Sequence, residues 1–376
     1  MVDLGINERM IRLKHLERIT MQNFRGFKEL ELKDLGAVTI LVGENNTGKT
    51  SVLEAVELLC NPLDIGQVLS TARGRDRAIP DYRMQLLESI EWLFFHDQVG
   101  GFQTVIQGEL QHKQTKYQLA IEEVYVIEVR EDSHSDAEKA FQMVMEHTTR
   151  DQHENEEAEQ QEFLIAEPFH HIETRKEKRI LETEMVTPVD HRFLPVALKS
   201  LTETIKRDDR SNIIRLLQSF DENIEGLELL SPDGRSAVPY IRHKVKSYVP
   251  LALYGDGIRR LIVLASAVLR AKDGILMIDE IETALHSKVL VKTFAWLMDA
   301  CKEFNVQLIA TTHSLEAVDA LIAPLAEEDD ADEVNRESLK DLVAFRLVNR
   351  DGQTTAKRFS GDALYSLRYE YGQDVR

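Results

Sequence analysis

The sequence is poor in cysteine, in long apolar runs and in positive charge. Its two cysteines among 376 residues, Cys60 and Cys301, give neither a disulfide framework nor a metal-binding spacing, and we expect reduced, buried thiols. No apolar run approaches the length that crosses a bilayer, and the charged first residues lack the apolar stretch of a secretion signal. These absences predict a cytoplasmic protein without a membrane partner.

The shortage of positive charge bears on nucleic-acid binding. With 46 Lys and Arg against 65 Asp and Glu, the formal net charge is −19. A dedicated duplex-DNA binder draws most of its affinity from neutralising phosphates, and therefore carries a basic surface. DNA is thus not indicated as a constitutive ligand, although a local basic groove, or one completed by a partner, stays open.

The pattern of apolar residues divides the chain into three parts. Residues 1–60 are predicted to hold three strands, a loop and a helix, and the third strand is apolar at almost every position. Residues 246–376 alternate helices with strands, which indicates a largely parallel sheet. We therefore expect an α/β P-loop NTPase with a mixed, largely parallel sheet flanked by helices, and an inserted β/helical lobe at residues 61–245.

The inserted lobe is the least regular part of the sequence. Alternating residues at 102–106 and 116–126 predict a hairpin or meander, and 192–220 is predicted to be helical. Residues 131–162 are strongly acidic with few large apolar groups, which predicts a solvated helix or a partly disordered excursion. A second acidic run, 327–333, is predicted to be a loop.

A phosphate-binding loop follows the third predicted strand. Residues 43–50 read Gly-Glu-Asn-Asn-Thr-Gly-Lys-Thr and fit GxxxxGK[ST], with an apolar strand before them and an amphipathic helix after them. In such a loop backbone N–H groups surround the phosphates, Lys49 faces the β- and γ-phosphates of ATP, and Thr50 is a ligand of Mg²⁺. The predicted nucleotide-binding residues of this segment are Gly43, Glu44, Asn45, Asn46, Thr47, Gly48, Lys49, Thr50 and Ser51.

A buried strand predicted at 275–278 ends in two carboxylates. Asp279 and Glu280 follow it directly, and ligands gather at the carboxyl edge of a parallel sheet. Asp279 is expected to hold Mg²⁺, and Glu280 to be the general base that takes a proton from the attacking water. The alternative is a strand that simply ends in a polar turn, which the phosphate loop disfavours.

Two further segments carry candidate groups. Residues 309–314 form another strand end, with His313 placed to contact the γ-phosphate or the water that attacks it. Gly255 and Gly257 flank Asp256 at the start of a predicted helix, where backbone N–H groups can bind an anion. An ordinary turn capped by Asp256 explains that spacing equally well.

These residues, in this order, resemble the ABC-type ATPases of the SMC, RecF and OLD (overcoming lysogenisation defect) group. The closest match within the group is to OLD-like AAA-type ATPases of bacterial defence systems, and the resemblance covers residues 16–60 and 246–320. The segments that carry it are Ile-Thr-Met-Gln-Asn-Phe-Arg-Gly-Phe at 19–27, Asn-Asn-Thr-Gly-Lys-Thr at 45–50, Gly-Asp-Gly-Ile-Arg-Arg at 255–260, Ile-Asp-Glu-Ile-Glu-Thr-Ala-Leu-His at 278–286 and Ala-Thr-Thr-His-Ser at 310–314.

The resemblance implies an ABC-type head of two lobes that closes over ATP and Mg²⁺ against a second copy of the chain. Gly255 and Gly257 would contact the γ-phosphate of ATP bound to the other subunit. Residues 282–286 would cross the dimer interface beside the general base. The resemblance also implies that Arg25 lies near the nucleotide phosphates or base, and that residues 188–192 stand where the two lobes couple.

Departures from the group narrow the functional hypotheses. The signature segment of this group is Gly-Asp-Gly-Ile-Arg-Arg at 255–260 in this chain, and not the Ser-Gly-Gly-Gln form of transporters. The spacing of Lys49 and Gly255 leaves no room for a long coiled-coil arm between them. The residues after the His313 strand are too few for the TOPRIM domain of OLD nucleases. An Asn-Lys-x-Asp motif that would mark a GTPase is missing from the sequence.

Three hypotheses remain from the sequence. The favoured one is a cytoplasmic ATPase that dimerises over nucleotide and regulates a separate effector, a nuclease or toxin, in bacterial anti-phage defence. The second is a RecF-like DNA-repair ATPase that binds DNA directly. The third is a self-contained nuclease whose catalytic carboxylates lie in residues 61–245.

Overall fold

The computed structural model describes residues 14–74, 84–96, 102–127, 137–166, 179–193, 202, 210–218, 220–232, 234–326 and 339–376. The strands in chain order are β1 (Leu16–Phe24), β2 (Phe27–Lys33), β3 (Val38–Val42), β4 (Phe102–Leu110), β5 (Lys113–Ile127), β6 (Ala137–Arg150), β7 (Glu156–Ala166), β8 (Thr183–Val186), β9 (Ile224–Leu230), β10 (Val238–His243), β11 (Ser247–Pro250), β12 (Ile275–Ile278), β13 (Gln307–Thr311), β14 (Leu342–Arg350) and β15 (Gln353–Ser360). The helices are α1 (Lys49–Cys60), α2 (Ile65–Arg73), α3 (Leu86–Glu91), α4 (Arg210–Gln218), α5 (Asp256–Arg270), α6 (Ser287–Glu303), α7 (Leu315–Ile322) and α8 (Gly361–Tyr365).

The core sheet has the strand order β15-β14-β3-β13-β12-β8. Neighbours from β14 to β8 are parallel, and β15 returns antiparallel to β14. Every residue of β3, β12 and β13 is buried, because both faces are covered. Leu41 packs in the cluster that contains α1, whereas Ile40 and Val42 pack with α5, α6 and α7. The predicted α/β fold with a mixed, largely parallel sheet is confirmed.

A second sheet is antiparallel and has the strand order β2-β1-β4-β5-β6-β7. It therefore joins strands from the first 60 residues with strands of the predicted inserted lobe. Its apolar face shares one core with α1, and 10 of the 12 residues of α1 are buried. A helix buried on all sides in this way lies between packed layers, so the antiparallel sheet fixes α1, and with it the phosphate loop at the start of α1.

The prediction of a solvated helix or disordered excursion at 131–162 is wrong for the part that the structure describes. The segment forms most of β6 and β7, and residues 131–136 lie outside the described residues. In β6 the apolar residues Phe141, Met143 and Met145 are buried at every second position, which is the period of a strand with one face on a core. The acidic residues crowd the mostly exposed β7 at the end of the sheet, and charge on such an edge discourages pairing with other chains.

The third sheet, β11-β10-β9, is small and packs with α4 and α5 in an apolar cluster of its own. The helix predicted at 192–220 is present as α4, while 194–201 and 203–209 lie outside the described residues, as does the predicted loop at 327–333. Strands β8 to β11 were not expected from the sequence. Within the described part of the chain, no helix is both long enough and apolar enough to cross a bilayer.

Candidate nucleotide site

The phosphate loop connects β3 to α1, as the sequence predicts. Gly43 and Gly48 have φ angles of 142° and 91°, which L side chains rarely adopt. Space is also missing at both positions. A Cβ on Gly48 would lie 2.4 Å from the Phe27 ring, and a Cβ on Gly43 would lie 2.4 Å from the Leu347 carbonyl oxygen. The two glycines of the motif are therefore required by this fold as well as by phosphate binding.

The Lys49 side chain folds back onto the loop. Its Nζ donates to the carbonyl oxygens of Gly43 and Glu44, at 2.8 Å each, and lies 3.3 Å from His313 Nδ1. Burial lowers the pKa of Lys49, and the carboxylates of Asp279 and Glu280 partly offset this effect. The ammonium group is thus partly desolvated and held at the loop, ready to exchange carbonyl oxygens for phosphate oxygens.

Asp279 lies at the end of β12, between the ends of two other elements. Its Oδ2 accepts from Thr50 Oγ1 at 3.0 Å, and its Oδ1 accepts from Thr311 Oγ1 at 2.6 Å. The structure thereby brings together the two predicted Mg²⁺ ligands from α1 and β12. Thr311 was not singled out in the sequence, although it belongs to the Ala-Thr-Thr-His-Ser segment at 310–314.

Glu280 has a positive φ of 47°, which is unusual for a residue other than glycine. Its backbone N–H donates to Thr311 Oγ1 at 2.8 Å, and its carboxylate accepts from Thr283 Oγ1 at 3.0 Å. Thr311 Oγ1 therefore contacts both Asp279 and Glu280. Together with the bond from Thr283, these hydrogen bonds hold the turn that follows β12. This arrangement fixes the Glu280 carboxylate in the same cavity as Lys49.

His313 follows β13 and is fixed through its backbone. Its N–H donates to Glu282 Oε1 at 3.0 Å, and its carbonyl oxygen accepts from Arg376 Nη1 at 3.2 Å. Val375, beside that arginine, is buried in the core cluster of α5 to α7. The segment at 374–376, which is distant in sequence, thus packs against the histidine that points toward Lys49.

Arg260 is a buried residue of the site that the sequence did not single out. Its guanidinium donates to the carbonyl oxygens of Thr187, Asp279 and Glu280 at 2.5, 3.3 and 3.4 Å. Burial lowers the pKa of Arg260 to about 10, so its charge remains at neutral pH. One cation on α5 therefore holds the backbone of both acidic residues at the end of β12.

The glycines of the predicted signature lie at the start of α5, away from the phosphate loop. Gly255 is exposed, and no described atom lies within 4 Å of where its Cβ would be. A Cβ on Gly257 would lie 3.3 Å from the Ala284 carbonyl oxygen. The Asp256 carboxylate contacts Arg192 at 3.3 Å and also pairs with Arg259.

Most of the predicted phosphate-loop residues and the predicted catalytic residues line one cavity of about 910 Å³. Its wall includes the phosphate loop from Asn45 to Ser51, together with Asp279, Glu280 and His313. Gly255 and the two residues after it are not part of that wall.

Arg25 also lines this cavity, but its guanidinium is engaged with the protein. It pairs with both carboxylate oxygens of Glu54, at 2.9 and 3.2 Å, and donates to the carbonyl oxygens of Thr71 and Trp92 at 2.8 and 3.2 Å. The arginine thereby ties α1, α2 and the end of α3 together beside the phosphate loop. Its predicted contact with nucleotide stays a prediction.

The family model of the AAA ATPase domain matches residues 15–98 and 96–318. The chain belongs to this family. An ATP/GTP phosphatase of Helicobacter pylori is 22% identical to the chain in an alignment 358 residues long, which covers 86% of this chain and 92% of the relative. The DNA replication and repair protein RecF of Rickettsia felis is 51% identical over 43 residues, which are 11% of this chain and 12% of that protein.

A solved structure of an SMC head bound to the C-winged helix domain of ScpA covers 92% of this chain and 98% of its own chain, at 13% identity and a TM-score of 0.49. A likeness with a TM-score below 0.5 is too weak to support a conclusion about the fold, which is defined by the strand order described above. The family match confirms the predicted ATPase activity, and the RecF match over 43 residues agrees with the resemblance to the SMC/RecF group.

Proposed function

We propose that this ATPase closes over ATP and Mg²⁺ as a head-to-head dimer and that its closed state regulates a separate effector protein. The observation that carries the proposal is the division of the predicted nucleotide contacts between two places. Lys49, Asp279 and Glu280 share one cavity, whereas Gly255 is exposed outside the cavity wall. A site that needs both groups is complete only when a second copy supplies the second group.

The residues around Gly255 leave room for the phosphate of a nucleotide bound to another subunit to approach. No described atom explains why residue 255 is a glycine, whereas a phosphate approaching the backbone N–H groups at the start of α5 requires the absence of a side chain. Leu253, just before it, is 76% exposed and adds apolar area to the same surface. Asp256 is occupied by Arg259 and Arg192, so its charge is partly neutralised before a phosphate arrives.

The residues at the end of β12 fit a divalent cation. Thr50 and Asp279 offer a hydroxyl and a carboxylate oxygen that already lie 3.0 Å apart, and oxygen ligands suit Mg²⁺. Thr50 and Asp279 would hold the ion, which would supply positive charge to offset the negative charge of the phosphates. Lys49 would bind the same phosphates, Glu280 would accept the proton of the attacking water, and His313 would orient that water or the γ-phosphate.

Mixing two inactive variants tests whether the sites are composite. Lys49→Ala removes the phosphate-loop charge, and Gly257→Glu places a negative side chain at the start of α5, where it opposes phosphate. Neither variant alone should hydrolyse ATP, but a mixed dimer joins one intact phosphate loop with one intact signature. We expect ATPase activity to reappear in the mixture and to peak near equal concentrations, as measured by phosphate release.

Gly74→Glu is the control for an added negative side chain, because no described atom lies within 4 Å of a Cβ at Gly74 and its φ is not positive. This variant should keep wild-type activity alone, and its intact signature should restore activity to Gly257→Glu in mixtures. Mixtures that stay inactive at every ratio, although both variants fold, would contradict a head-to-head dimer.

The effector part of the proposal rests on the resemblance to defence ATPases. The net charge of −19 favours a protein partner over direct binding to duplex DNA. Expression of the chain with its genomic neighbours in a phage-sensitive bacterium should lower plaque counts, and Lys49→Ala should abolish the protection. Equal plaque counts with and without the chain, across a diverse set of phages, would argue against a role in defence.

A further inference from the structure

We propose that Trp92, with His96 beside it, is the stacking platform for the nucleobase of the bound nucleotide. This inference rests on the proposed function only in that a nucleoside triphosphate occupies the cavity. Trp92 lines the same cavity as Lys49 and Glu280, and the residue is 49% exposed. An indole left half open in the wall of a phosphate-binding cavity offers a π-face to a planar ligand.

The two rings form an aromatic pair within the cavity wall. The centroids of Trp92 and His96 lie 4.0 Å apart, with the planes tilted by 37°. His96 therefore lies against part of the indole, and Trp92 nevertheless keeps 49% of its surface exposed. Both side chains come from the segment after α3, which no nucleotide-binding motif of the sequence includes.

This segment is held firmly against the strands that flank the phosphate loop. The Arg25 N–H donates to the Leu93 carbonyl oxygen at 2.9 Å, and its guanidinium donates to the Trp92 carbonyl oxygen at 3.2 Å. Phe95 donates its N–H to the Asn23 carbonyl oxygen at 3.1 Å. These hydrogen bonds use only backbone atoms of residues 92–95. They position the segment and leave the Trp92 side chain free of these contacts.

The charges around the platform favour a base over another phosphate. Arg25, a cation of the cavity wall that contacts the Trp92 carbonyl oxygen, is paired with both carboxylate oxygens of Glu54, and its side chain is only 6% exposed. Phosphates bind more favourably at Lys49 and the start of α1, where the charge and the N–H groups are. Stacking depends on the area of the π-face, so the platform should favour purine over pyrimidine triphosphates.

The chain has only two tryptophans, which makes the contact directly measurable. The second, Trp296 in α6, lines a separate small cavity. In Trp296→Phe, ATP with Mg²⁺ should quench the remaining Trp92 fluorescence, while tripolyphosphate with Mg²⁺ should not. In Trp92→Phe the Trp296 signal should stay constant with either ligand.

Affinity gives the second readout. Trp92→Ala should weaken ATP binding by about 5- to 160-fold, the range expected for the loss of one base–aromatic stack. Tripolyphosphate affinity should be unchanged, and Trp92→Phe should keep most of the ATP affinity. In steady-state assays KM should rise while kcat is preserved, and the preference for purine triphosphates should shrink.

The outcomes separate this inference from the proposed function. Wild-type ATP affinity and purine preference in Trp92→Ala, or equal quenching by ATP and tripolyphosphate, would overturn the stacking role while leaving composite sites intact. Conversely, stacking can be present in a chain whose mixed variants show no recovery, and in that case only the dimer proposal is wrong.

Discussion

Replacing Glu280 by glutamine is expected to slow ATP hydrolysis by about 10²–10⁴-fold, the usual effect of losing a general base. Glutamine keeps the size of the side chain and can still accept the hydrogen bond from Thr283 Oγ1, which the carboxylate now accepts at 3.0 Å. It cannot take up the proton of the attacking water. ATP binding should survive, because Lys49, Thr50 and Asp279 are unchanged.

The same variant should trap the closed state. If hydrolysis opens the dimer, a chain that binds ATP but cleaves it slowly should accumulate as an ATP-bound dimer. Light scattering in the presence of ATP and Mg²⁺ should then report a doubled mass that persists for much longer than in the wild type. Phosphate release, measured in the same samples, gives the rate of hydrolysis.

Glu303→Gln is the control for the loss of one negative charge, because Glu303 is exposed at the end of α6 and away from the nucleotide cavity. It should behave as the wild type in both measurements. Near-normal hydrolysis by Glu280→Gln would show that another group removes the proton, and His313, 3.3 Å from Lys49 Nζ, would be the next candidate.

The parts of the site that were predictable are those whose geometry is local. The phosphate loop needs only an apolar strand, two glycines with positive φ and a helix, and all of these lie within 38–60. The expected proximity of Asp279 to Thr50 has a similar reason, and the two side chains lie 3.0 Å apart. A fully apolar strand such as β12 lies inside a buried sheet, so the residues that follow it lie at the carboxyl ends of the parallel strands.

The missed contacts join residues that are far apart in sequence. Arg260 reaches the Thr187 carbonyl oxygen across 73 positions, and Thr311 reaches Asp279 across 32. The hydrogen bonds of Arg260 go to backbone carbonyl oxygens, which every residue has, so no sequence pattern reveals them. An arginine in an amphipathic helix such as α5 is ordinarily expected on the exposed face, and here the site requires it on the buried one.

The error at 131–162 shows how composition can mislead. Four of its acidic residues lie at exposed positions of β7, and the acidic composition outweighed a short run of alternating apolar residues in β6. β8 was missed for another reason. It has four residues and gains its place as an edge strand only by pairing with β12, from Thr183 opposite Ile275 to Val186 opposite Ile278.

Lys49→Ala is expected to abolish tight ATP binding, and it is the largest loss of affinity predicted for any single substitution in this chain. The ammonium group is the one charge that the motif places against the β- and γ-phosphates. In the absence of nucleotide it is satisfied by two loop carbonyls, and burial lowers its pKa. Lys49 therefore serves phosphate binding and contributes little to the stability of the fold. Its replacement by alanine should not strongly destabilise the nucleotide-free protein.

Thermal unfolding separates the loss of binding from the loss of folding. A ligand present at 100 times its Kd stabilises a protein by about 2.7 kcal/mol, so ATP with Mg²⁺ should raise the Tm of the wild type clearly. Lys49→Ala should have nearly the wild-type Tm without nucleotide and no increase with it, and calorimetry should detect no binding. Lys302→Ala, which removes an exposed charge at the end of α6, should keep the full increase. An undiminished ATP-dependent shift in Lys49→Ala would contradict the assignment of residues 43–50 as the phosphate loop.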